Sequence, residues 1–230
     1  MTNLAHLDVD GQRIAYRLRE GAAPTILFLP GYASDMEGTK ALATNAFAEQ
    51  RGLSMLRFDY SGTGSSGGRF EEGTLAAWLE QALAVVDQLA NGRVILVGSS
   101  MGGWIALHLA LLRAERVQAL VGIAAAPDFT DWGFADGKDA ATRGLAQAFW
   151  ESGQQMQLLS GPIAIDCPVR LLHGEVDREV PLDVAFRLMR ALRSSDVQLN
   201  VLKGGGHRLS EPHEIRAILH TLDALMEPSI

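Results

Sequence analysis

The sequence predicts an α/β fold: a mostly parallel sheet with helices on both faces and an antiparallel hairpin at its start. Three observations predict it. Short apolar runs alternate with helix-length segments along most of the chain, and a repeated strand, helix, strand order calls for right-handed crossovers and a parallel sheet. The segment HLDVDGQRIAYRL alternates apolar and polar residues on either side of Asp10-Gly11, a dipeptide that favours a tight two-residue turn. Hydrophobic residues make up 47 % of the 230 residues against 20 % charged, enough for one sizeable core and too many for disorder.

In chain order, the opening hairpin is followed by TILFLP and a helix over Thr39 to Gln50, LSMLRF and a helix over Thr74 to Ala90, then RVILVG and a helix over Met101 to Leu112. VQALVGIAA, PVRLLHG with a helix from Pro181 to Leu192, and VQLNVL with a helix from Glu211 to Met226 complete the pattern. One stretch interrupts it. Between VGIAA and CPVRLLHG the chain runs through Trp, Phe, Gly and Gln-rich sequence, and connections that long inside a compact domain are usually functional. Residues 128–166 are therefore expected to form a small, partly helical cap on a single domain spanning 1–230.

The formal charge is −7, with 20 Lys and Arg against 27 Asp and Glu. That leaves no basic footprint for a phosphate backbone, so nucleic acid is not expected as a partner. No apolar run approaches the ~18 residues of a membrane span, and the polar, soon acidic start MTNLAHLDVDGQRIAYR is unlike a secretory or transit segment. A cytoplasmic protein is expected. Cys167 is the only cysteine, which excludes an intramolecular disulfide and a multi-cysteine metal site. No metal and no cofactor is expected, and the oligomeric state is not legible.

The chemistry concentrates in VGSSMGGW. A serine hydroxyl becomes a nucleophile only with a neighbouring base, a place for the developing oxyanion, and exposure to substrate. Gly98-Ser99-Ser100-Met101-Gly102 fits G-x-S-x-G when centred on Ser100, whereas centring on Ser99 puts Val97 and Met101 in the glycine positions. The glycines have a mechanical reason: a sharp strand-to-helix turn holds the serine in a strained conformation and leaves no room for side chains two residues away. The same turn aims the Met101 amide at the reacting carbonyl, at a helix N-terminus that favours negative charge. Ser99 reads as a packing or hydrogen-bonding residue.

In this kind of turn-based site the acid precedes the histidine along the chain. His207, in VLKGGGHRLSE, follows a strand and precedes the last helix, which puts it at the strand ends where open α/β sheets place their sites. His6, His108, His213 and His220 lie in the hairpin or in helices, and His173 precedes the best acid. Asp177, in the polar loop LLHGEVDREVP, can accept the imidazole N–H and fix its tautomer; Glu175, Glu179, Asp183 and Asp128 are rivals. For the second oxyanion donor the loop after TILFLP offers the Tyr32 amide, since Gly31 lets the chain turn closely there. Asp59-Tyr60-Ser61-Gly62-Thr63-Gly64 lacks the Lys of a P-loop and reads as structure at the rim of the site. Trp132, Phe134, Phe149, Trp150 and Met156 are candidates for lining an acyl site or for the cap's own small core.

With Ser100, Asp177 and His207 in this order, the chain resembles an α/β-hydrolase with a serine triad. FLPGYASDMEGTKA, RFDYSGTGSSGG, LVGSSMGGW, CPVRLLHGEVDREVP and GHR further resemble the α/β-hydrolase-domain group that includes a mitochondrial palmitoyl-protein thioesterase, also described as an acyl-glucuronide esterase. The resemblance implies Ser100 as nucleophile, His207 as base, Asp177 as acid, the Tyr32 and Met101 amides as oxyanion hole, and acyl thioesters or activated esters as substrates, whether small molecules or acyl-proteins. The N-terminus departs from the group's mitochondrial pattern, and the cap matches least well. Two other readings share the sequence: a non-catalytic ligand-binding protein of the same fold, and a cofactor-free haloperoxidase or C–C bond hydrolase using the same triad.

Overall fold

The computed structural model describes residues 2–133 and 146–226. Its elements run β1 (Leu4–Val9), β2 (Gln12–Arg19), β3 (Ala22–Leu29), α1 (Thr39–Gln50), β4 (Leu53–Phe58), α2 (Leu75–Leu89), β5 (Val94–Ser99), α3 (Met101–Leu112), β6 (Val117–Ile123), α4 (Phe129–Trp132), α5 (Gln147–Gln155), β7 (Val169–Gly174), α6 (Leu182–Ala191), β8 (Val197–Leu202) and α7 (Pro212–Ala224). One sheet of eight strands holds them in the order β1-β2-β4-β3-β5-β6-β7-β8. The expected α/β fold is present, with each expected helix within two residues of its reading.

The hairpin turns at Asp10 and Gly11, both at positive φ (49° and 77°), the conformation a two-residue turn requires. β2 then pairs antiparallel with β4, and from β4 onward neighbouring strands are parallel. Because successive strand residues face opposite sides, the central strands divide their side chains between two apolar layers. Leu27, Leu29, Val94 and Leu96 pack under α2 and α3; Ile26, Phe28, Ile95 and Val97 pack under α1 and α7. Helix α3 is buried on nearly all sides from Met101 to Ala110, and a helix apolar all round is one that belongs inside. This fixes the turn that precedes it. Among the described residues no helix is long and apolar enough to cross a membrane.

Candidate active site

β5 ends at Ser99 and α3 begins at Met101, so Ser100 alone makes the corner, with φ 54° and ψ −120°. A serine at positive φ is uncommon and strained, and the surroundings enforce it. The Ser100 amide donates to the Ile123 carbonyl at 2.9 Å, while its carbonyl accepts from Gly103 at 2.9 Å and Ala126 at 3.1 Å. A Cβ at Gly98 would collide with the Gly102 carbonyl, one at Gly102 with the Leu29 carbonyl, and one at Gly103 with Ala125. The glycine frame therefore extends one residue beyond the motif.

His207 and Asp177 reach this corner from the ends of β8 and β7. Gly174 lies so close to Gly205 and Gly206 that a Cβ on it would strike their backbone, and Gly204 opens the histidine loop at a positive φ of 70°. The loops are tied by the Val176 amide on the Gly205 carbonyl (3.0 Å) and the Gly204 amide on Glu175 (2.9 Å). His207 Nδ1 lies 2.9 Å from Asp177 Oδ2, and His207 Nε2 lies 3.1 Å from Ser100 Oγ. The tautomer protonated on Nδ1 satisfies both contacts, donating to the carboxylate and accepting from the hydroxyl. Asp177 Oδ1 accepts the amides of Glu179 and Val180, each at 2.9 Å. Burial pushes the Asp177 carboxyl up, but the His207 hydrogen bond, the Val180 amide, the His207 charge and the Glu179 amide outweigh it and leave the group below its ordinary value. His173 donates to the Val180 carbonyl at 2.9 Å and stays 3.6 Å from Asp177. Lys40, at the start of α1, donates to the Arg208 carbonyl and braces the histidine loop from the other side.

The loop after β3 passes against the serine: a Cβ on Gly31 would stand 3.3 Å from the Ser99 carbonyl and 3.4 Å from Ser100 Cβ. Neither the Tyr32 amide nor the Met101 amide has an acceptor among the described residues. The far end of this loop is held by a carboxylate that the sequence reading left as part of the rim. Asp59 accepts the Met36 amide at 2.7 Å and the Ser65 amide at 2.8 Å, and Arg57 donates to the Met36 carbonyl at 2.8 Å. Burial raises the Asp59 carboxyl above its usual value against the pull of those two amides. The available signal was an acidic residue closing a strand ahead of a glycine-rich loop.

The cleft over Ser100 has a volume of about 890 Å³, and its walls include Tyr32, Phe129, Trp132, Val180 and His207. Of the aromatic and sulfur residues expected along an acyl site, Trp132 faces it. Phe149, Trp150 and Met156 do not line it. Phe149 is 1 % exposed and packs in the main core with Trp150 and Met156 against it. The reason is apolar burial: these side chains close the seam between α5 and the body. Phe134 lies outside the described residues. Asp128, a rival acid by sequence, directs its carboxylate at the Leu158 and Leu159 amides, at 2.8 and 2.6 Å, away from the histidine. Among the described residues no group of His, Cys, Asp and Glu is gathered to hold a metal ion.

The sheet order and the strained turn around Ser100 define a class, and sequence comparison agrees: the chain belongs to the alpha/beta hydrolase fold family, which matches residues 24–143. It is a hydrolase. Within the family it is 38 % identical over 247 aligned residues to the Palmitoyl-protein thioesterase ABHD10, mitochondrial, of Homo sapiens, covering 98 % of this chain and 81 % of that one. The solved structure of alpha/beta hydrolase domain-containing protein 10 from mouse superposes with a TM-score of 0.92 at 36 % identity, over 97 % of this chain and 98 % of that one. A putative hydrolase from Agrobacterium vitis S4 superposes with a TM-score of 0.91 at 37 % identity over 99 % of both chains.

These relatives correct one expectation. The chain was read as cytoplasmic, but its relatives from orangutan, human and cattle are mitochondrial proteins, and the cytoplasmic reading is withdrawn. It rested on the polarity of the first residues, whereas compartment is set by short address segments that the fold and the site do not depend on.

Proposed function

We propose that this chain hydrolyses carboxylic esters and acyl thioesters through an acyl-enzyme, with Ser100 as nucleophile, His207 as base, Asp177 as the acid that orients it, and the Tyr32 and Met101 amides as oxyanion hole. The observation that carries the reading is the pair of contacts on one imidazole: 2.9 Å to a buried carboxylate on Nδ1 and 3.1 Å to the serine hydroxyl on Nε2. The relatives' name extends the substrate class to thioesters.

Ser100 Oγ attacks the acyl carbonyl as its proton passes to His207 Nε2, and the carbonyl oxygen takes negative charge beside the two amides. The C–O or C–S bond then breaks, and the leaving alcohol or thiol takes the proton from His207. In the second half, water gives its proton to His207 and attacks the acyl carbon. Collapse releases the acid and returns the proton to Ser100. Asp177 keeps its charge throughout and stabilises the imidazolium. Residues 128–166 act in this reading as a cap on a single 1–230 domain, with Phe129 and Trp132 offering the acyl group an apolar wall.

The test is a panel of acyl esters and thioesters of graded chain length, with and without Ser100→Ala, alongside labelling by a serine-directed phosphonate. Turnover that vanishes in Ser100→Ala while the fold persists, with the phosphonate on Ser100, supports the proposal. Label on another residue with Ser100 unmodified, or saturable ligand binding with no acyl release, overturns it.

A further inference from the structure

We infer that Phe149, a buried residue of α5 outside the walls of the cleft, is a positioning residue that holds the Tyr32 amide in place for the oxyanion. This rests on the oxyanion-hole reading proposed above.

An oxyanion donor is useful only within hydrogen-bond reach of where the charge will develop, so something must fix the Tyr32 backbone to a few tenths of an ångström. The loop that carries it is secured at both ends and, between them, by one turn hydrogen bond, the Ser34 amide on the Gly31 carbonyl at 3.2 Å. Gly31 is pressed against Ser99 and Ser100, and Met36 is held by Asp59 and Arg57. Between them the Tyr32 amide has no acceptor among the described residues, and Ala33 takes a positive φ of 53°. Beyond that turn, what holds Tyr32 is its side chain, whose hydroxyl meets the Ala146 backbone and whose ring packs among other aromatics.

That ring meets Phe70 and Phe149 edge-on at 5.0 Å each, Trp78 at 6.0 Å and Phe129 at 6.4 Å. Phe149 ties two of the others together: it stacks on Phe129 at 5.7 Å and leans on Trp78 at 5.4 Å, and Trp78 in turn meets Phe70 at 5.8 Å. Its own place is set by α5, which is fastened to the body at several points. Ser152 Oγ accepts the amide of Ala76 at 3.0 Å, and Trp104 and His108 of α3 both reach the Met156 carbonyl, at 3.1 and 2.9 Å. Trp104 lies three residues after Met101, and its ring meets Phe129 at 5.6 Å. An aromatic path therefore runs from Tyr32 through Phe149 and Phe129 to Trp104, joining the loop after β3 to the first turn of α3, the two places whose amides make the proposed hole. Dense packing transmits displacement instead of absorbing it. Loosening Phe149 should move the amide; because it also packs on Phe129, a wall of the cleft, the test needs an acyl group too short to depend on that wall.

The experiment uses an acetyl ester, whose acyl group is short, and active sites counted by the phosphonate burst. Removing one oxyanion donor outright costs about 10²–10³ in kcat; a displaced donor should cost about tenfold. Phe149→Leu is expected to lower kcat per active site about tenfold with KM changed less than twofold. A boronic acid that forms the tetrahedral adduct should bind about tenfold more weakly, while the acetate product should bind as before. Tyr32→Leu should cost at least as much, and the double variant should be little worse than Tyr32→Leu alone, since Phe149 acts through the Tyr32 ring. Phe47→Leu, in the opposite apolar layer, should lower Tm without changing kcat.

If Phe149→Leu lowers Tm but leaves kcat per active site and boronate affinity unchanged, the residue only fills the core and the inference is overturned. Equal weakening of boronate and acetate overturns it too. Should the leucine variant not fold, Phe149→Met makes the same comparison. A phosphonate that fails to label Ser100 in the wild type removes the oxyanion-hole reading itself, whereas normal labelling with unchanged Phe149→Leu kinetics removes this inference alone.

Discussion

Asp177 and Asp128 follow the ends of neighbouring parallel strands, β7 and β6, and both are buried carboxylates that accept two backbone amides. They differ in what is left over. Asp177 gives one oxygen to the amides of Glu179 and Val180 and turns the other to His207. Asp128 gives both to the Leu158 and Leu159 amides, closing the segment after β6 on its own far end. Their electrostatics diverge accordingly. At Asp177 burial is outweighed by His207 and the amides, so the carboxyl sits low; at Asp128 burial outweighs the Leu159 and Leu158 amides and the His108 charge, so it sits high. The same side chain at equivalent places in a fold serves chemistry or architecture according to whether an oxygen remains free for a histidine.

The strongest attempt to break this comparison is a matched pair of substitutions. Asp177→Asn should lower kcat by about 10⁴, the order found when an orienting aspartate is replaced and the histidine tautomer is lost. Asp128→Asn should leave kcat within a few-fold, because its carboxylate faces no part of the cleft. Its cost should fall on stability instead: an amide left without its acceptor is worth about 1–2 kcal/mol, or about 2–8 °C in Tm for a chain of this size. Kinetics and thermal melts of both variants decide it, and a comparable loss of kcat in Asp128→Asn would erase the distinction.

The pH dependence sharpens the same contrast through its sign. The Asp177 carboxyl is lowered on folding, so its stabilisation is present above the unfolded value of about 3.9 and is lost as pH falls through the lower folded value. The Asp128 carboxyl is raised, so charging it works against folding above its folded value, and that penalty disappears as pH falls toward 3.9. The stability difference between wild type and Asp177→Asn should therefore shrink on acidification below pH 4. The difference between wild type and Asp128→Asn should move in wild type's favour as pH falls through the raised folded value toward 3.9. Denaturant melts along a pH series measure both slopes, and slopes of one sign would contradict the assignment.

How much of this was legible depends on whether a residue's task is local. Ser100 could be read because its neighbours must be glycine: Gly98 and Gly102 flank it two residues away on either side, whatever each of them clashes with. Helices over Thr39–Gln50 and Met101–Leu112 were legible because runs of helix-length sequence lie between clear strands. Phe149 was not, because an aromatic residue in a short polar segment is equally compatible with a ligand wall and with a seam, and only the packing of α5 against α2 and Tyr32 decides. Asp59 was missed for a related reason: its partner Met36 lies on another loop, across 23 residues of chain. The compartment was misread because nothing in the folding pattern encodes it.

The smallest effect tests proximity against environment. Glu179 Oε2 lies 3.6 Å from His207 Nε2, so by distance to the imidazole it is a rival to Asp177 as the orienting acid. Two physical differences set it aside. It faces the nitrogen that must accept the serine proton, so it cannot fix the tautomer through Nδ1. Its side chain is also 69 % exposed, and an exposed ion pair is worth about 0–1 kcal/mol and is screened by salt. Glu179→Gln should therefore change kcat by less than about threefold, with the residual effect fading between low salt and roughly 0.5 M salt. A loss approaching that of Asp177→Asn would mean that the buried, amide-held geometry of Asp177 is not what selects the partner of His207.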